Sequence, residues 1–345
     1  MGEVLAFADD EAKGLWEQLS LGCTEISGHP LLRREIAGLY GDVGVFTFAG
    51  AAEGVYCALR TLIEPGDHVV GVEPCYSPLV TLPRAFGADL TVIALDAKRG
   101  WQLSLEEVER AFRPKTKLLI LNFPHNPTGT VMERGVFEGV VELARKRGAF
   151  ILCNEVYRYL EIDEGSRLPS IADAYEKGIA VNVLTKAFGL GGLRVGWIAT
   201  QDREFLKEVG EYKLYTSVFN SAPSEILALI ALRARGAILK RNREIVLGNL
   251  AQFEAFMGRH GDVLSWVPPQ GGPMALVELR LPVAVETFAR ELREEREVLI
   301  LPGSLFDLPG NFFRVGFGKK KMAQALERFE LFLGSLEQRV GGAMK

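Results

Sequence analysis

The sequence predicts an α/β protein, with a mostly parallel sheet in a large domain and a smaller α+β domain after it. Three observations predict this. From about residue 43 to 200, short apolar runs alternate with helical patterns, an order that builds a parallel sheet covered on both faces. Beyond about residue 262 the strands become shorter and the alternation breaks, which marks a separate region. A chain of 345 residues has room for two such units. The expected division is 30–220 for the large domain, and 1–29 together with 221–345 for the small one.

Taken in order, residues 1–40 read as helical, most strongly from Leu31 to Tyr40. Strands are expected at 43–49, 68–72, 89–94, 117–122, 149–153, 179–184 and 194–199. Helical patterns fall between them at 51–62, 77–85, 104–112 and 131–147, and after them at 202–213. Long helices are expected across 220–260, then strands at 262–267, 274–279, 297–300 and 312–317. Helices at 283–295 and 319–337 complete the small unit. In such a sheet ligands sit at the carboxyl ends of the strands, where the loops begin.

Composition narrows the function classes. An apolar content of 48% with 24% charged residues is that of a globular protein, and a formal charge of −4 favours neither nucleic acid nor an anionic membrane as partner. The four cysteines form no CxxC pair, and with four histidines and no HExxH no metal site is expected. The first ten residues lack a basic region and no apolar run is long enough to span a bilayer, so the sequence predicts a soluble, cytoplasmic protein.

The expected strand-ends carry the chemistry. Val181 to Leu184 closes a buried strand, and Thr185 and Lys186 follow directly, before a loop loosened by Gly189, Gly191 and Gly192. A lysine there either snorkels to solvent or is desolvated, which lowers its pKa as a Schiff-base lysine requires. Ala49 to Gly54 puts small residues at a helix start, which suits a tight packing turn or a phosphate held by backbone N–H groups. Tyr76 follows another strand, as a core aromatic or a stacking surface. Asn122-Phe-Pro-His-Asn-Pro-Thr-Gly129 is a turn at the next strand-end. Ile151 to Tyr157 brings Asn154 and Tyr157, with Glu155 on the opposite face of the strand from Asn154. Arg314 lies among apolar neighbours in Phe312-Phe-Arg-Val-Gly-Phe317.

These segments resemble the class I/II aminotransferases, the fold-type I family of pyridoxal-phosphate enzymes. Thr185, Lys186, Phe188, Leu190, Gly192, Arg194, Gly196 and Trp197 match the family's lysine motif, and the resemblance runs from about residue 22 to 335. It implies pyridoxal 5'-phosphate as cofactor, held as a Schiff base by Lys186, and transfer of an amino group between an amino acid and a 2-oxo acid. By the same resemblance, Gly50, Ala51 and Ala52 donate amides to the phosphate, joined by Thr185 and the fork of Arg194. Tyr76 stacks on the ring, Asn126 and Tyr157 bond its phenolic oxygen, and Asn126 and Arg314 take the substrate carboxylate. A homodimer is implied as well, with Ser217 to Ser221 resembling an interface segment.

The chain departs from the family at three places. Asn154 stands where the family has an aspartate paired to the ring nitrogen; an asparagine is neutral and keeps no proton there. The N-terminal arm is shorter than usual, and Cys23 occupies the place of a tyrosine that reaches the partner's phosphate. The alternatives to an aminotransferase are therefore a pyridoxal-phosphate lyase, cyclase or oxidase of the capreomycidine-synthase-like branch, or a catalytically weakened cofactor-binding protein.

Overall fold

The computed structural model describes residues 1–343. The expected helix over 1–40 is three helices, α1 (Gly2–Leu5), α2 (Asp10–Glu17) and α3 (Pro30–Ala37). Asp9 caps α2 by accepting the Ala12 N–H, and Pro30 pre-sets the first turn of α3. The break between α2 and α3 passes through Gly28, at φ 100°, where a Cβ would lie 1.9 Å from the Thr47 hydroxyl. Only glycine fits that turn.

The alternating region then follows as β1 (Gly44–Phe48), α4 (Ala51–Leu62), β2 (His68–Glu73), α5 (Pro78–Ala85), β3 (Asp89–Ala94), α6 (Leu105–Ala111) and β4 (Thr116–Asn122). It continues with α7 (Arg134–Arg147), β5 (Phe150–Asn154), α8 (Ile171–Ala174), β6 (Gly178–Val183), β7 (Gly196–Thr200) and α9 (Arg203–Lys213). The start signals are local. Ser104 and Glu107 form a reciprocal capping box on α6, Ser170 caps α8, and Asp202 caps α9.

These strands make one seven-stranded sheet in the order β1-β7-β6-β5-β4-β2-β3. Strand β7 runs antiparallel to both of its neighbours, and the remaining pairs are parallel. Strands β4, β5, β6 and β7 are buried along almost their whole length, as a sheet covered on two faces requires. One boundary differs from expectation in a way that matters for the site. The last strand starts at Gly196 rather than 194, because Arg194 closes a short 3₁₀ turn over Gly191–Leu193 in the left-handed region, at φ 53°.

The second unit contains α10 (Ala222–Arg233), α11 (Arg235–Arg259), β8 (Leu264–Trp266), β9 (Met274–Leu279), α12 (Val285–Arg296), β10 (Leu301–Pro302), β11 (Phe312–Gly316) and α13 (Met322–Ala343). Its four strands pair antiparallel in the order β10-β11-β9-β8. The strand expected at 297–300 is displaced to β10, since Glu297 takes a left-handed conformation, φ 56°, to close α12. Strand β11 has two faces. Phe313 and Val315 are buried in the small sheet's core, whereas Phe312 and Arg314 on the other face turn toward Trp101 and Asn126 of the region before α10.

Phe288 of α12 sits at the centre of that core, with ring centroids 6.0 Å from Phe313, 5.8 Å from Phe329 and 5.3 Å from Phe332. Phe288→Ala should cost about 3–5 kcal/mol, as other buried aromatic truncations do. Urea unfolding would show it as a lower midpoint with an unchanged slope; an unchanged midpoint would contradict the packing described.

Candidate active site

The carboxyl ends of β2, β4, β5 and β6 open onto one cavity of about 160 Å³. Among the residues singled out from sequence, Ala51, Ala52, Tyr76, Asn126, Asn154, Tyr157, Thr185, Lys186 and Arg194 line it. Gly50 stands immediately behind Ala51, and Arg314 reaches Asn126 from β11. Val55, Val156 and Val183 supply apolar lining that the sequence reading did not single out.

One wall is the start of α4. Gly50 is its N-cap, at φ 100° and without a side-chain cap. The first N–H groups of a helix have no partner inside it, and the macrodipole favours an anion before them. A Cβ on Gly50 would lie 2.5 Å from Arg194 Nη2, and one on Gly196 would lie 2.6 Å from the Ala51 nitrogen. The two glycines thus let helix, strand and guanidinium meet. Arg194 donates only long bonds, 3.4 Å to the Ala49 carbonyl and 3.5 Å to that of Gly191. Its fork is left largely free for an oxyanion.

The floor is made of amides. Asn154 ends β5, its carbonyl accepts Asn122 Nδ2 at 2.7 Å, and its own Oδ1 is buried without a partner. Asn122 Oδ1 also accepts the Asn126 N–H at 3.3 Å. Asn122 went unrecognised in the sequence, although a lone polar residue closing an apolar strand was the signal available. Glu155 faces away, as strand alternation requires, and accepts from Ser170 Oγ at 3.1 Å and the Ile171 N–H at 2.8 Å. Burial raises its carboxyl above the usual range, against the pull of Arg158 and of these bonds.

Lys186 Nζ lies 5.7 Å from the centre of the Tyr157 ring. As a residue Lys186 is exposed in the open cavity, but the protein around its amine desolvates it in part and lowers its pKa, and the cations Arg314 and Arg194 push it lower. Burial raises the Tyr157 hydroxyl to about 12, which Arg314 opposes and Tyr76 reinforces. Arg314 Nη1 donates to Asn126 Oδ1 at 2.7 Å, and its guanidinium stands 4.9 Å from the centre of the Phe306 ring. An aromatic beneath and an amide beside it hold the fork in place.

This set of groups fits pyridoxal phosphate on the structure's own terms. The uncapped helix start and the weakly bonded guanidinium suit a phosphate, the amine of lowered pKa suits a carbonyl, and the amide of Asn154 in the lining has an N–H to offer an unprotonated ring nitrogen. A mostly parallel sheet with one reversed strand, and such a cavity at its strand-ends, defines a fold-type I pyridoxal-phosphate enzyme. The chain belongs to the family of class I and II aminotransferases, whose model matches residues 12–329, and it is a pyridoxal-phosphate-dependent aminotransferase of amino acids and 2-oxo acids.

A pyridoxal-phosphate-dependent aminotransferase from Streptococcus suis is 31% identical, with a TM-score of 0.90 over 97% of this chain and 90% of its own. An aspartate aminotransferase from Thermotoga maritima is 29% identical over 293 residues, 83% of this chain and 74% of that protein. The pyridoxal-phosphate-dependent cyclase OrfR is similar too, at 28% identity and a TM-score of 0.87 over 96% of this chain and 88% of its own.

The Lys186 environment gives a direct expectation for the cofactor-free protein. Its half-labelling pH with an amine-acylating reagent, followed by peptide mapping, should lie below the ordinary lysine value of about 10.4. Arg314→Gln removes a repelling cation and should move that midpoint upward. A midpoint at or above the ordinary value would refute the desolvation argument.

Proposed function

We propose that this aminotransferase carries its cofactor covalently on Lys186, and that the cavity residues divide its work. Gly50, Ala51 and Ala52 hold the phosphate through backbone N–H groups, with Thr185 and Arg194 closing around it. Tyr76 stacks on the ring, Tyr157 and Asn126 bond its phenolic oxygen, and Asn154 meets its ring nitrogen. The single observation that carries this reading is the convergence of these side chains, drawn from separate strand-ends, on one cavity with Lys186.

When bound, pyridoxal phosphate supplies a carbonyl for bonding to amines and a ring that withdraws electrons from the bonded carbon. The chain's own residues do the rest. Arg314 and Asn126 hold the substrate α-carboxylate, which fixes the Cα–H bond near Lys186. Lys186 Nζ, released when the substrate's amine takes its place, is a free amine of lowered pKa and would take the proton leaving Cα. Val55, Val156 and Val183 supply the apolar part of the cavity wall.

Residues 30–220 are proposed as the cofactor-binding domain, and 1–29 with the chain from 221 onward as the small domain. The working unit is proposed as a homodimer. Leu214 and Tyr215 support this, being 47% and 86% exposed beside Ser217 to Ser221, where an apolar surface favours a second copy. A cytoplasmic location is proposed from the four unpaired cysteines.

One observation favours a second reading, an amino-acid lyase, cyclase or oxidase: the residue at the floor is the neutral Asn154. A carboxylate there would keep the ring nitrogen protonated, whereas an amide leaves it neutral and the electron sink weaker.

Three measurements test these proposals. Borohydride reduction of the holoprotein and peptide mapping should mark Lys186, and marking of another lysine would end the reading. The molecular mass at micromolar concentration with cofactor bound should be that of two chains; a monomer would overturn the dimer. Each unit of ring-nitrogen basicity is about 1.4 kcal/mol, so Asn154→Asp should raise the half-reaction with a good amino donor by about tenfold or more. An unchanged or slower half-reaction in that variant would favour the second reading.

A further inference from the structure

We propose that Glu53 is a positioning residue of the phosphate cradle, and that its carboxylate couples occupancy of the cradle to the order of the 213–219 segment. The inference rests on the reading that the start of α4 receives the cofactor's phosphate. Glu53 lies in the first turn of α4, yet both of its oxygens accept from groups outside that helix. Oε2 accepts the Ala49 N–H at 2.6 Å, one residue before Gly50. Oε1 accepts the Ser217 N–H at 3.0 Å and the Thr216 hydroxyl. One side chain therefore ties the rim of the cradle to a segment 164 residues later in the chain.

The geometry around this bridge makes it a coupling rather than a local cap. Ala49 is held on one side by the short bond from its N–H to Glu53, and its carbonyl lies 3.4 Å from Nη2 of Arg194, the guanidinium expected on the phosphate. A second grip lies two residues back. The fully buried Lys213 Nζ donates to the Thr47 carbonyl at 2.9 Å and to the Ile26 carbonyl at 2.7 Å. The 213–217 stretch thus clamps the end of β1 at Thr47 and the cradle rim at Ala49. The clamp is under strain, for Val218 is a β-branched residue in the left-handed region, at φ 62°. Such a conformation persists only where its surroundings hold it, and Glu53 is part of that hold. Burial would raise the Glu53 carboxyl, but the bonds from Thr216, Ser217 and Ala49 keep it below the usual range, so the bridge is ionised at neutral pH.

An anion that fixes Arg194 and the α4 start also fixes Ala49, and so holds Glu53 against Thr216 and Ser217. By linkage, a segment ordered by the anion must in turn strengthen the anion's binding by the same factor. The sign separates this from simple electrostatics. Loss of a negative charge near an anion site would tighten phosphate binding through space; loss of a positioning group weakens it.

The test uses the full-length protein with pyridoxal phosphate, and with inorganic phosphate as a probe that forms no bond to Lys186. Hydrogen exchange of the 214–219 amides and the dissociation constants are measured in the wild type, in Glu53→Gln and in Thr216→Val. Phosphate should slow exchange at Ser217 several-fold in the wild type. Glu53→Gln should weaken binding of both ligands by about tenfold, the effect of losing one or two charge-assisted hydrogen bonds, and abolish the protection. Thr216→Val, which leaves the bond to Ala49 in place and touches no part of the cavity, should weaken binding by a smaller factor and reduce the protection. It carries the test should Glu53→Gln fail to fold. Binding without protection at Ser217, protection that survives in the variants, or tighter phosphate binding in Glu53→Gln would overturn the coupling and leave the cofactor reading standing. A wild type that binds neither ligand would overturn both.

Discussion

The structure depends on one close approach, the start of α4 against the start of β7. Gly196 stands so near the Gly50–Ala51 peptide that a single methyl group would lie 2.6 Å from two backbone atoms. That contact aims the positive end of α4 at the strand-ends of the large sheet. It requires the chain to leave β6 after Val183, turn through Lys186 and re-enter the sheet antiparallel at Gly196. The reversal of β7 in an otherwise parallel sheet is therefore part of the site. Had the strand begun at Arg194, a regular alternation of side chains would govern that residue's direction. Its left-handed conformation, φ 53°, instead turns the guanidinium back across Gly50.

Around that contact, polarity is sorted by strand alternation. Along β5 the last residue, Asn154, turns to the cavity and leaves a buried oxygen without a partner. The next residue, Glu155, turns to the other side, where its Oε1 accepts from the α8 cap at Ser170 and Ile171. An unpaired buried acceptor carries a desolvation cost. The same sorting acts on β11, where one face packs into the aromatic core around Phe288 and the other presents Arg314. The short bond from Arg314 to Asn126 joins the small sheet to the turn that follows β4. Trp101 against Phe312, with centroids 5.5 Å apart, braces the same strand two residues away.

Much of this was legible in the sequence because it is encoded by neighbours. The alternation of apolar runs and helical patterns has a period that local residues set, so α4 and β3 appear where their spacing put them and most other elements lie within a few residues. The lysine motif from Thr185 to Trp197 and the Asn-Pro-Thr-Gly turn are contiguous, so the family and its cofactor could be read before any contact was known. Two of the boundaries that moved did so at single residues of left-handed backbone, Arg194 and Glu297, whose conformation no periodicity announces. The break in the N-terminal helix was set by a distant contact, Gly28 against Thr47.

The sequence by itself determined the fold class, the lysine, and the amide where a carboxylate would be expected. Tertiary structure alone decided which side chains act together. The Asn122–Asn154 bond spans 32 residues and the Glu53–Ser217 bond 164, and neither leaves a pattern within reach of any local period. Contacts of that kind arise only when the sheet has closed and strand-ends far apart in the chain come to face one cavity.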